Sequence, residues 1–123
     1  MLVYVSSTLP DVAFTSAMNR ALREMGHATA GTPLGDGVCG ANWMQRIHEA
    51  DLFVSVVSPL ALTLPGFEAE WRYAIEKNLP LRVFWRDVVA LPAPLRVYPA
   101  HTLASITPTK AAAWLLEPQM TDV

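Results

Sequence analysis

Apolar residues come in two rhythms along this chain, and the rhythms alternate. Leu2-Val3-Tyr4-Val5 is a short β-type run closed by Ser6-Ser7-Thr8. Pro10-Asp11 then opens a helical stretch. Val12, Ala13, Ala17, Ala21, Leu22 and Met25 recur there at helical spacing, and Gly26 stops it. Arg20 and Arg23 lie toward its end, where the helix dipole favours cations. His27 to Ala30 reads as a second strand. Gly31 to Gly40 is a glycine-rich loop. Asn42 is expected to cap a second helix running through Trp43, Ile47 and Ala50. Leu52-Phe53-Val54-Ser55-Val56-Val57 is nearly continuous in apolar character, which marks a central strand covered on both faces.

Ser58-Pro59 ends that strand, and a loop runs to Pro65-Gly66. A third helix is expected from about Phe67 to Asn78, with Phe67, Trp71, Ala74, Ile75 and Asn78 on one face. Leu81 to Trp85 is a fourth strand. Asp87 to Pro99 is proline-rich and reads as a covering loop, and His101 to Ile106 as a last short strand. Thr107-Pro108 caps a final helix to Glu117, with Thr as N-cap and Pro at the first helical position. Strand and helix therefore alternate throughout. The expected fold is α/β, a flavodoxin-like three-layer sandwich on a central parallel sheet of about five strands. Residues 1–123 form one domain, with 106–123 a C-terminal helix and frayed tail.

Composition narrows the classes. Of the 123 residues, 52% are hydrophobic and 16% charged, which excludes a disordered tail. The apolar excess fits a sheet buried on both faces, or a surface that meets a partner. Net charge is −2 and the basic residues are scattered, so no nucleic-acid partner is expected. No apolar run is long enough to span a bilayer, and the first residues lack the charged lead of a signal peptide. Cys39 is the one cysteine, and a plain small residue is the expected role. His27, His48 and His101 have no ligand spacing, so no metal is expected. A cytoplasmic setting follows.

Open parallel sheets bind ligands beyond the carboxyl ends of their strands, where strand order reverses. Here that point lies between Ser6-Ser7-Thr8 and the loop from Ser58-Pro59. The first turn of the third helix overhangs it and carries Glu68 and Glu70, between which helical spacing alone does not choose. Glu68 has Arg72 four residues on, an ordinary surface pair. Either carboxylate would gain roughly 0.3–1 kcal/mol from the helix N-terminus. A phosphoacceptor receiver needs acidic residues where this chain has serines. A dinucleotide site needs glycines after the first strand, and here they follow the second, at Gly31, Gly35, Gly37 and Gly40, without G-x-G-x-x-G spacing.

The order of these elements resembles a Toll/interleukin-1 receptor (TIR) domain of bacterial type, over roughly Leu2 to Asp87. The residues that carry the resemblance are Val3-Tyr4-Val5-Ser6-Ser7, Gly26, Gly40-Ala41-Asn42-Trp43, Ile47 and Asp51. The most specific piece is Ser58-Pro59 followed by Glu70-Trp71-Arg72-Tyr73-Ala74. The resemblance implies an NAD+ nucleosidase or cyclase that cleaves the nicotinamide–ribose bond and gives ADP-ribose or a cyclic isomer, in prokaryotic immune signalling. It implies NAD+ as a substrate rather than a cofactor, and Glu70 as the catalytic residue. Ser6, Ser7, Thr8 and Ser58 would line the substrate crevice, and Trp43 or Tyr4 would stack on a base. Gly35, Asp36, Gly37 and Gly40 would belong to the loop that assembles neighbours and gates the site. A homo-oligomer, and a companion effector or sensor domain, are implied partners.

The chain departs from the family pattern at Gly66, where many catalytic members carry Trp. It departs again at Leu60-Ala61-Leu62-Thr63, where Tyr and Ser are usual. The missing aromatic at Gly66 and the apolar composition favour a second expectation, a non-catalytic module that self-assembles. A third is a nucleoside deoxyribosyltransferase-like enzyme, which also places a Glu near a helix start. Its Asp-x-Gly-Thr stretch is missing at Leu64-Pro65-Gly66-Phe67. Trp71, Trp85 and Trp114 are expected in the core.

Overall fold

The structure is a computed structural model that describes residues 1–31, 33–34, 39–86 and 90–118. Five parallel strands form one sheet: β1 (Leu2–Ser6), β2 (Ala28–Ala30), β3 (Leu52–Val57), β4 (Leu81–Trp85) and β5 (Ala100–Thr102). Their order is β2-β1-β3-β4-β5. The helices are α1 (Val12–Glu24), α2 (Trp43–Glu49), α3 (Pro65–Glu76) and α4 (Pro108–Leu116). This is the expected flavodoxin-like architecture, and its strand order reverses between β1 and β3.

Strand periodicity divides the core in two. Val3, Val5, Val54, Val56 and Phe84 pack with Met18 and Leu22 of α1 and Leu115 of α4. Tyr4, Phe53, Val57, Leu81 and Val83 pack with Ile47 of α2 and Phe67 and Trp71 of α3. All six residues of β3 are buried, as its apolar run requires. Trp71 is a core residue, and Trp85 and Trp114 pack partly buried against the two cores.

Several boundaries differ from expectation for local reasons. Helix α3 begins at Pro65, which suits the first helical position because it has no N–H to leave unpaired. It ends before Asn78, which is exposed, with φ +57°. Asn42 stands at the N-cap of α2 but makes no side-chain cap bond there. Its φ of +57° is a left-handed conformation that Asn tolerates. Within the covering loop, a 3-10 turn at Ala93–Leu95 buries Leu95 completely. The last strand stops at Thr102 because Leu103–Ser105 coils into another 3-10 turn. Thr107 caps α4 as expected, its Oγ1 accepting from the Lys110 amide at 3.2 Å.

One glycine is required by packing. Gly31 leaves β2 with φ +104°, and a Cβ there would lie 2.2 Å from the Val5 carbonyl oxygen. The chain can therefore pass this close to β1 only without a side chain.

Candidate functional site

On β1, Tyr4 and Ser6 are two residues apart and share a sheet face. That face meets α3, whose buried stripe is Phe67, Glu70, Trp71 and Ala74. The spacing of this stripe also separates the two carboxylates. Glu70 lies within it and is 1% exposed. Glu68 lies outside it and pairs on the surface with Arg72 at 3.2 Å.

Both oxygens of Glu70 are held by hydroxyls from β1. Tyr4 Oη donates to Oε2 at 2.5 Å, and Ser6 Oγ donates to Oε1 at 2.7 Å. Burial pushes the Glu70 carboxyl above its ordinary value, and the two hydroxyl donors pull it partly back. The Tyr4 phenol is pushed far above its usual range, first by burial and then by the Glu70 charge and hydrogen bond. Tyr4 is thus a fixed donor. No second carboxylate or imidazole bonds Glu70 among the described residues.

The Tyr4 ring does not have a free face for a base on the side that meets Phe53. It stacks on Phe53 with centroids 5.6 Å apart and planes 8° from parallel, and is 3% exposed. The ring is thus committed to the core, and its hydroxyl is what reaches Glu70. Trp43 sits half-buried at the start of α2, edge-on to Tyr73 at 5.7 Å.

The remaining expected site residues divide. Ser7 and Thr8 are buried at the end of β1. The Ser7 carbonyl accepts from the Leu34 amide at 2.8 Å, and Leu9 donates back to the Leu34 carbonyl at 3.3 Å. Thr8 Oγ1 lies 3.3 Å from Ser58 Oγ, which also accepts from the Ala61 amide at 3.1 Å. Thr8 and Ser58 thus pin the two loops of the switch point together rather than contacting Glu70. Gly40, the last residue of the loop, is exposed, while Gly35, Asp36 and Gly37 lie outside the described residues.

Cys39 has a place beyond that of a plain small residue. Its Sγ donates to the Gly66 carbonyl at 3.4 Å, across the first turn of α3. Burial and then the Glu70 charge push its thiol up, so it stays protonated at neutral pH. Two further residues were not expected at the site from the sequence, where Asp11 read only as a helix start. Asp11, fully buried, accepts from Arg86 Nε at the end of β4. These partners are far apart in sequence, and no local spacing announces them.

A buried carboxylate held by two hydroxyl donors can stabilise charge and can accept a proton. It can hold a negative charge, fixed in place, beside a carbon that becomes positive.

No protein-family model matches the chain, and no curated protein matches it. Among solved structures, the chain is similar to the CMP N-glycosidase BcmB of Clostridium botulinum. The TM-score is 0.53 at 14% identity, over 84% of this chain and 87% of that one. At that identity the likeness shows the α/β fold and no more. Among the described residues, no helix is long and apolar enough to cross a membrane, and no group of three His, Cys, Asp or Glu side chains could hold a metal ion.

Proposed function

We propose that this chain cleaves the N-glycosidic bond of a nucleotide, with Glu70 as the catalytic carboxylate and NAD+ as the substrate. The observation that carries the reading is the double hydroxyl clasp on a buried Glu70 at the carboxyl end of β1. In the reaction the bond from C1′ to the base nitrogen breaks, and its electron pair stays on the nitrogen. C1′ becomes oxocarbenium-like, and the Glu70 carboxylate stabilises that charge. Water adds to C1′ and loses its proton to Glu70.

The leaving group decides between substrates. Nicotinamide is cationic in NAD+ and departs neutral, so no acid is needed to expel it. A neutral pyrimidine, by contrast, leaves more easily when a donor protonates it, and no second acid bonds Glu70 among the described residues. This favours NAD+, in line with the TIR resemblance, which also implies ADP-ribose or a cyclic isomer as product, assembly of copies and a role in prokaryotic immune signalling. A second reading, a nucleoside monophosphate such as CMP, is favoured by the structural similarity to a CMP N-glycosidase.

The test is base release from NAD+ and from CMP by the purified protein at high concentration, followed by chromatography. Nicotinamide release that disappears in Glu70→Gln is expected. Cytosine release alone would move the substrate to the second reading. Absence of any Glu70-dependent release would overturn the proposal in favour of a self-assembling module.

A further inference from the structure

We infer that Arg86, oriented by buried Asp11, receives the phosphate of the bound nucleotide. The inference rests on the nucleotide reading of the Glu70 site and adds a subsite to it.

Arg86 follows β4 directly, and its amide donates to the Val57 carbonyl at 2.8 Å. That bond extends the β3–β4 ladder one residue past Trp85. The backbone of Arg86 is therefore fixed at the carboxyl edge of the sheet. Its side chain turns to the α1 side, where Nε donates to Asp11 Oδ1. Asp11 closes the 3-10 turn that follows Thr8, so the pair sits at the β1 loop.

The pair is one-sided. The Asp11 side chain is 0% exposed and that of Arg86 is 40% exposed. The carboxylate lies beneath and the guanidinium above it, toward solvent. Asp11 Oδ2 has no hydrogen-bond partner among the described residues. Arg86 is thus the group that compensates the buried charge. An ion pair made only for stability would gain most with both carboxylate oxygens engaged in a bidentate fork. Here the bond uses Nε, and the Nη groups have no acceptor among the described residues. A planar guanidinium held by one edge is pre-organised to meet a phosphate with the other.

The placement fits a nucleotide laid over the switch point. Glu70 approaches the ends of β1 and β3 from the α3 side, and Arg86 from the α1 side. The Thr8 and Ser58 hydroxyls lie on the loops between. Ribose at Glu70 and phosphate at Arg86 would span the ends of the two strands. Arg72, on α3, is already engaged by Glu68.

The experiment measures binding rather than turnover, in a Glu70→Gln background that preserves substrate. Calorimetric affinities are compared for CMP against cytidine and for nicotinamide mononucleotide against nicotinamide riboside. The phosphorylated member should bind roughly 10- to 100-fold tighter, the range of a charged hydrogen-bonded contact. Arg86→Gln with Asp11→Asn removes the buried charge together with its partner, and the preference should vanish while nucleoside affinity stays. Arg86→Lys keeps the charge without the fork and should retain part of the preference, which guards against misfolding of the double variant. Equal preference in all variants would overturn the inference, as would no preference in the parent protein. Phosphate-selective binding without base release in the Glu70-intact protein would sink the proposed reaction and leave this subsite standing. Base release with an unaltered KM in the Arg86 variants would do the reverse.

Discussion

The Tyr4 hydroxyl on β1 donates to Glu70 Oε2 on α3 at 2.5 Å, joining two residues 66 positions apart. The contact ties the first strand to the helix that overhangs the switch point. The Tyr4 ring stacks on Phe53 at the same time, so packing aims the hydroxyl and the hydroxyl aims the carboxylate.

Tyr4→Phe separates these two duties. Phe keeps the stack on Phe53 and deletes one donor to Glu70. That donor lowers the Glu70 pKa, so its loss should raise it further. The ascending limb of the pH–rate profile for base release should move to higher pH. At neutral pH kcat should drop roughly 10- to 100-fold, as for one lost charged hydrogen bond. A profile that keeps its midpoint would remove Tyr4 from the mechanism.

Stability should carry the opposite signature at Glu70. Burial raises its folded-state pKa above the ordinary value of about 4.3. Below that value the carboxyl is protonated in both folded and unfolded chains. As pH climbs toward the folded pKa, the unfolded chain ionises first and stability is lost. Glu70→Gln cannot ionise, so it should melt above the parent protein at pH 7, with the gap closing toward pH 4. Thermal unfolding across that range checks it. A gap that widens on acidification would mean that the hydroxyl donors outweigh burial.

How far the site could be read beforehand follows from which contacts are local. Alternation along Leu2–Ser6 puts Ser6 opposite Val3 and Val5, and the serine-ended strand pointed to the β1 crevice. The third strand and the cap at Thr107 were equally plain, because continuous apolar runs and Thr-Pro starts are local signals. The choice of Glu70 over Glu68 was harder. A carboxylate inside an apolar stripe looks like a break in it. It is stable there because Tyr4 and Ser6 supply donors from a distant strand. The Asp11–Arg86 pair spans 75 positions and has no local trace. Asn42 misled for another reason, since Asn serves both caps and left-handed turns.

The serines on β1 and β3 make a contrast. Ser6 and Ser55 are register partners on adjacent strands, and both are fully buried. Ser6 serves Glu70, whereas Ser55 Oγ has no partner among the described residues. Ser6→Ala should cost about 1–3 kcal/mol, because a buried carboxylate oxygen loses its donor. Ser55→Ala should fall within about 0.5 kcal/mol of the parent protein or be more stable, since the desolvated hydroxyl contributes no bond. Urea titrations of the two variants should therefore differ clearly. Equal losses would indicate that Ser55 also takes part in holding the carboxylate.

Two glycines with positive φ test whether β1 is held by close backbone approach. Gly26 ends α1 at φ +91°, and a Cβ there meets nothing within 4 Å. Gly26→Ala should cost only the left-handed strain, about 1–2 kcal/mol. Gly31 adds a collision to the same strain, because its Cβ would lie 2.2 Å from the Val5 carbonyl oxygen. The obstacle is backbone in a central strand, with Tyr4 on one side and Ser6 on the other, and it cannot rotate away. Gly31→Ala should therefore reach the exceptional range of about 4–5 kcal/mol. If the chain survives by shifting β1, the Tyr4 and Ser6 bonds to Glu70 should slip with it, and activity should fall more steeply than stability. Parallel denaturation and base-release assays of the two glycine variants would show this. Equal behaviour at both positions would mean that β1 yields without disturbing Glu70.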